Sequence, residues 1–189
     1  MAASWDRKHF EERAIAIADQ FKSKRVRMWL GLVTSGPRGR GVMGGRNFEA
    51  FGSDPFLDRE ASFITIKSAQ SNGLMSVAKH YIGYEQETYR NPHVANASVL
   101  PLLKENYERN IKQLPIDAIV DDTTLHETYL PSFEQAVRAG VASVMCGYNR
   151  INGEHACSTS YILNTVLKGE LAFSGSVMSD WGGSWDTRG

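Results

Sequence analysis

Val141-Ala-Ser-Val-Met-Cys146, a run from Ser158-Thr159 through Ile162, Leu163, Val166 and Leu167, and Ser174-Gly-Ser-Val-Met-Ser179 form the stretch that decides the fold. Two short apolar runs of strand length flank a segment whose apolar residues recur every three or four positions. That pattern reads as strand, amphipathic helix, strand. Ser158 or Thr159 is the expected N-cap of the helix and Gly169 its stop. A helical crossover between two short apolar strands favours parallel pairing.

The same alternation appears upstream. Phe10, Ala14, Ile15, Ala18 and Phe21 recur at helical spacing among charged residues. Val26 to Val33 reads as a strand, followed by a glycine-rich loop from Gly36 to Gly52. Asp58 is the expected cap of a second helix reaching about Asn72, with Phe63, Ile66 and Ala69 or Gln70 facing inward and Gly73 ending it. Leu74 to Ala78 reads as the second strand. The polar stretch from about His80 to Leu125 interrupts the pattern, with a helix expected over Leu100 to Gln113. His126 to Ala139 is helical in pattern, and Pro131 either breaks that helix or starts its second half. Four strands alternating with helices mean an α/β fold with a parallel sheet. A complete eight-stranded barrel needs about 250 residues, and the chain has 189. The pattern alone does not choose between a small open sheet and part of a barrel.

Composition narrows the function classes. Lys plus Arg equals Asp plus Glu at 21 each. Such a balance gives no electrostatic reason to expect nucleic acid or an anionic membrane as partner. No apolar run reaches the length of a membrane span. The opening residues lack the apolar core of a secretory leader. The five histidines show no metal-ligand spacing, and no cofactor is expected. The glycines at 36, 39, 41, 44 and 45 match neither phosphate-binding fingerprint. Cys146 and Cys157 are either two reduced thiols or one short bridge. Asn96-Ala97-Ser98 fits a glycosylation acceptor.

The chemistry-bearing residues follow the strands. Lys79 and His80 come after the second, Tyr148 and Asn149 after the third, and Asp180 and Trp181 after the fourth. Ligand sites of parallel α/β folds lie at the carboxyl ends of their strands, so these residues can converge. Each has a duller reading. Asp180 fits a helix cap, Lys79 and His80 a solvated strand end, and Trp181 and Tyr148 core aromatics. Arg46 is either solvated or paired with Glu49. A retaining glycosidase asks for an ionised carboxylate nucleophile and a protonated carboxyl acid about 5 Å apart. It also asks for hydroxyl-binding groups and an aromatic face for the sugar, with neighbouring cations keeping the nucleophile ionised. Arg46, Lys79, His80, Tyr148, Asp180 and Trp181 supply that inventory, apart from the acid.

Gly44-Gly-Arg-Asn-Phe-Glu-Ala-Phe-Gly52, Ala78-Lys-His-Tyr-Ile-Gly83 with Glu85-Gln-Glu87, Val144-Met-Cys-Gly-Tyr-Asn149 and Val177-Met-Ser-Asp-Trp-Gly182 together resemble the N-terminal barrel of glycoside hydrolase family 3, of the fungal β-glucosidase type. The resemblance runs from about Trp5 to Gly183. It implies a partial (β/α)8 TIM-type barrel, incomplete at both ends. It implies a retaining β-glucosidase that releases glucose from cello-oligosaccharides and other β-glucosides, with Asp180 as nucleophile. Arg46, Lys79, His80, Tyr148 and Trp181 then line the first sugar subsite. It also implies a Cys146–Cys157 disulfide and an extracellular, glycosylated parent. Against the family pattern, the chain begins after a strand bearing a sugar-binding aspartate. It ends before the second α/β domain that carries the acid/base glutamate, and Glu85 and Glu87 match a different, structural-looking stretch. Pro131-Ser132 replaces a tryptophan–proline pair, and the tail Gly183 to Gly189 departs from the pattern. The chain alone is therefore expected to be inactive as a hydrolase. A non-catalytic sugar-binding remnant, or another family specificity such as β-xylosidase, are the competing readings.

Overall fold

The computed structural model describes residues 2–34, 41–90 and 114–184. The expected helix over Leu100 to Gln113 and the acceptor Asn96 lie outside them.

Helix α1 (Arg7–Ser23) is capped by Asp6, whose carboxylate accepts from the Lys8 N–H at 2.8 Å. Its buried stripe is Phe10, Ala14 and Ala18, the spacing of a single helix face. Strand β1 (Met28–Val33) follows. Helix α2 (Pro55–Ser71) starts earlier than Asp58: its cap is Asp54, which accepts from Phe56 N at 2.9 Å, with Pro55 in the first turn. Proline suits that place because its missing N–H has no partner there anyway. Asp58 instead sits fully buried within the helix. Ile66 and Ala69 face inward as expected, but Phe63 is 37% exposed. Gln70 turns its amide across the helix end, accepting from Ala142 N (2.9 Å) and Ser76 N (3.2 Å) and donating to Gly140 O (2.6 Å).

Strand β2 (Met75–Tyr81) runs three residues beyond the apolar segment, so Lys79 and His80 belong to the strand. The short β3 (Asp117–Ala118) leads to Asp122–Thr124, capped by Asp121. A π-helical turn, Leu125–Tyr129, then joins α3 (Leu130–Arg138). Pro131 stands in the first turn of α3. The widened turn before it absorbs the ring and the missing donor, so the proline starts the second half rather than ending the helix. Strand β4 (Ser143–Cys146) is followed by the hairpin β5 (Arg150–Ile151) and β6 (Glu154–His155). Asn152 and Gly153 both have positive φ at its turn, as a tight hairpin requires. A π-helix, Tyr161–Glu170, leads to β7 (Ser176–Ser179). Its flanking residue is Ser160, without a side-chain cap bond, and it passes through Gly169 instead of stopping there.

The main sheet has the order β1-β2-β4-β7, all parallel. Each of its strands lies beside the next one in sequence, as in a barrel. A doubly wound open sheet would reverse direction at a switch point. The small sheet β3-β5-β6 was not legible in the apolar pattern. Asn152 fastens it by donating to Val120 O and accepting from Val120 N, each at 2.8 Å. The core lies between the sheet and its helices. At its centre Tyr81 meets Phe133 edge to face at 4.8 Å and donates to Ile162 O at 3.0 Å.

Candidate active site

Parallel strands put their carboxyl ends on one edge, and that edge gathers the polar residues. Asp180 follows β7, and its N–H donates to Cys146 O at 3.2 Å, continuing the β4–β7 ladder for one step. The residue is almost wholly buried, at 8% exposure. Oδ1 accepts from the Trp181 N–H at 2.8 Å. Among the described residues no donor hydrogen-bonds to Oδ2, which lies 3.5 Å from Nε2 of His80.

Regular strand geometry would send Lys79 and His80 to opposite faces. The β2–β4 register instead shifts between Lys79↔Met145 and Tyr81↔Cys146. Such an irregularity re-aims side chains, and here both reach the same cluster. Burial, then the charges of Arg46, Lys79 and Arg90, push the His80 pKa down to about 2. His80 is therefore a neutral imidazole, and the expectation that it helps keep the carboxylate ionised through charge is corrected.

Arg46 is not solvated. It meets Glu49 in a fork, Nε to Oε1 at 2.6 Å and Nη2 to Oε2 at 3.0 Å. The hydrogen bond that Arg46 donates to Glu49 raises the Arg46 pKa against the cost of burial. Lys79 Nζ lies 3.2 Å from Glu49 Oε2. Burial pushes Glu49 up, but the Arg46 hydrogen bond and the Lys79 charge outweigh it, and the net shift is downward. Glu87 closes a second layer, 2.6 Å from both Arg90 Nη1 and Tyr84 Oη and 3.7 Å from Arg46 Nη1. Glu49 does not stand ready as a proton donor, since Arg46 and Lys79 hold its carboxyl below the usual range. Sequence reading had raised the Arg46–Glu49 pair but not the bridge to Lys79, nor the parts of Glu87 and Arg90.

Tyr148 is buried. Its hydroxyl is raised to about 12, first by burial and then by the Asp180 charge and a hydrogen bond to it. The Arg90 guanidinium lies 4.7 Å from the Tyr148 ring centre. Gly147 makes this crowding workable. A Cβ there would stand 2.6 Å from Asn149 Oδ1, 3.2 Å from Tyr84 Cβ and 3.6 Å from His80 Cβ. Asn149 spans back to Ile82 O at 3.0 Å. Trp181 is 66% exposed, so it is no core aromatic and presents an open indole beside Asp180. Cys146 and Cys157 form a disulfide with Cα atoms 5.2 Å apart, closing the loop that carries Tyr148. Among the described residues no cluster of His, Cys, Asp or Glu could hold a metal ion. No described helix is long and apolar enough to cross a membrane.

Arg46, Lys79, His80, Tyr148 and Asp180 thus share one charged cluster, drawn from the loop before α2 and from three strand ends. Several known proteins are similar to this chain in sequence and in arrangement. The model of the glycosyl hydrolase family 3 N-terminal domain matches residues 108–186. A probable β-glucosidase G from Aspergillus oryzae is 46% identical over 97% of this chain, and β-glucosidase 1 of Saccharomycopsis fibuligera is 46% identical over 95%. The chain spans about a fifth of these relatives, 21% and 19% of their length. Among solved structures, β-D-glucoside glucohydrolase from Trichoderma reesei superposes with a TM-score of 0.82 at 41% identity, over 96% of this chain and 22% of that one. A β-glucosidase from Chaetomium thermophilum does so at 0.84 and 41% identity, over 96% of this chain and 20% of that one. The four parallel strands and their helices therefore form part of a (β/α)8-type barrel, and the chain is similar to the N-terminal domain of glycosyl hydrolase family 3 over residues 108–186 and to part of several β-glucosidases over nearly its whole length.

Proposed function

We propose that this chain carries the nucleophile and the first sugar subsite of a retaining β-glucosidase acting on cello-oligosaccharides and other β-glucosides. The observation that carries the reading is the Asp180 carboxylate. It is buried, fixed by one backbone hydrogen bond, and leaves an oxygen without a donor among the described residues. A nucleophile needs both features: a set direction, and a lone pair not committed to a donor.

In the proposed step Asp180 Oδ2 attacks the anomeric carbon and the bond to the aglycone oxygen breaks. A glycosyl ester forms, and water later cleaves it. Neutral His80, Lys79 and Arg46 hydrogen-bond the sugar hydroxyls, and Trp181 lies against the sugar's apolar face. Tyr148 steadies the carboxylate through its hydroxyl. The names of the relatives support glucose as the sugar, as does a Thermotoga neapolitana β-glucosidase 3B solved with glucose, 30% identical with a TM-score of 0.74. The disulfide favours an oxidising, extracellular setting.

On this reading the acid that protonates the leaving group is not assigned to any described residue, and that group typically contributes a factor of about 10² to 10⁴. Reactivity of this chain should therefore depend steeply on the leaving group. A 2,4-dinitrophenyl β-glucoside, whose aglycone departs unaided, should give a burst of dinitrophenolate with up to one equivalent per chain. Methyl β-glucoside should give none. Steady turnover of both, lost in Asp180→Asn, would mean that an acid is present. Absence of any burst together with absence of glucose binding would overturn the subsite.

A further inference from the structure

We propose that Glu49 is a positioning residue: a single carboxylate that holds both sugar-binding cations, Arg46 and Lys79, in place. The inference rests on the first-subsite reading above and adds to it the group on which that subsite is built.

The two cations come from unconnected parts of the chain. Arg46 precedes the short 3-10 turn Asn47–Glu49, whereas Lys79 is on β2. The turn is closed by the Glu49 N–H on Arg46 O at 3.0 Å. In that geometry side chains three apart nearly eclipse, so Glu49 lies over Arg46. The fork of 2.6 and 3.0 Å fixes the guanidinium in plane and rotation, as two parallel charge-assisted bonds do. The same Oε2 then reaches Lys79 Nζ at 3.2 Å. Lysine has three donors and arginine five, so this arrangement leaves N–H groups on both for sugar hydroxyls. It also sets the distance between them, which neither backbone does.

Charge points the same way. Glu49 pairs with both Arg46 and Lys79, Glu87 pairs with Arg90 and lies 3.7 Å from Arg46, and His80 between these cations and Asp180 is neutral. Removing the Glu49 charge takes from Lys79 its ion pair with that carboxylate and leaves Arg46 the longer 3.7 Å contact to Glu87.

A purely structural Glu49 would matter to the loop alone, and a double-mutant cycle separates the two roles. Glucose affinity would be measured by NMR titration for the wild type, Glu49→Gln, Lys79→Gln and the double variant. Glu49→Gln should weaken glucose binding roughly tenfold, and that loss should shrink to about threefold or less once Lys79 is gone, because the two act as one unit. Unchanged affinity in Glu49→Gln, or the full loss persisting in the Lys79→Gln background, overturns the proposal. A wild type that binds no glucose fails earlier, at the subsite reading itself, and removes this proposal with it. Where a variant fails to fold or binds too weakly to titrate, the Arg46 Nε–H resonance of the wild type decides. It should exchange slowly with solvent and shift on saturation with glucose. A fast-exchanging Nε–H that glucose leaves untouched contradicts the assignment.

Discussion

His80 Nε2 and Asp180 Oδ2 stand 3.5 Å apart, although β4 lies between their strands in the sheet. The pair meets because β2 and β7 end on the same edge and the β2 register slips at His80. A buried histidine so close to a carboxylate would ordinarily become protonated. Here burial and three nearby cations oppose that, and the ring stays neutral. The neutral ring leaves the carboxylate without an ion-pair partner at Oδ2, the atom assigned to attack.

The neutral state is open to a direct check. With its pKa pushed down to about 2, the His80 ring nitrogens should show no titration between about pH 4 and about pH 8, where an ordinary imidazole changes charge. Nitrogen-15 NMR of labelled histidine follows this. A titration midpoint near 6 would show that the cations fail to control the ring.

His126 behaves oppositely. Its Nε2 meets Glu170 at 3.0 Å, and that hydrogen bond, with a backbone bond to Asp122, raises its pKa. A raised folded-state value means the contribution is fully present below the ordinary histidine pKa and lost as pH rises through the folded value. The urea midpoint should therefore fall slightly from about pH 6 to about pH 8.5, and His126→Gln should flatten that part of the profile. The effect is small because the pair is exposed.

The disulfide should matter to stability. Replacing Cys146 and Cys157 together with serine removes a bridge across 11 positions. That should cost about 2–4 kcal/mol, read from urea unfolding. Because Asp180 N–H hydrogen-bonds to Cys146 O, glucose affinity should fall as well. Equal stability of the double serine variant would contradict this.

Gln70 ties α2 to the entry of β4 and the start of β2 through three hydrogen bonds. Gln70→Ala should destabilise by about 1–3 kcal/mol, the cost of leaving half-buried backbone groups unpaired. Chemical denaturation measures it, and a loss well under that range would mean water replaces the amide.

What the sequence made legible follows from what carries a strong pattern. The parallel α/β alternation and the strand-end placement of Asp180 and Tyr148 were readable, because burial writes itself as apolar periodicity. The extent of β2 was not: Lys79 and His80 are polar yet buried, and only partners elsewhere in the chain make that tolerable. Asp58 reads as the cap, whereas the cap is Asp54 and Pro55 marks the first turn. The β5–β6 hairpin lacks apolar alternation, but Asn152-Gly153 is itself a turn signal that could have revealed it. Arg46 was readable as a partner of Glu49. Its coupling to Lys79 was not, since nothing local links residues 49 and 79.

The most direct test of the nucleophile is to trap it. Incubated with 2,4-dinitrophenyl 2-deoxy-2-fluoro-β-glucoside, the chain should gain one fluoroglucosyl ester on the peptide holding Asp180, and Asp180→Asn should gain none. Mass spectrometry of the digest reads the result. A label on any other side chain, or equal labelling of Asp180→Asn, would contradict the account.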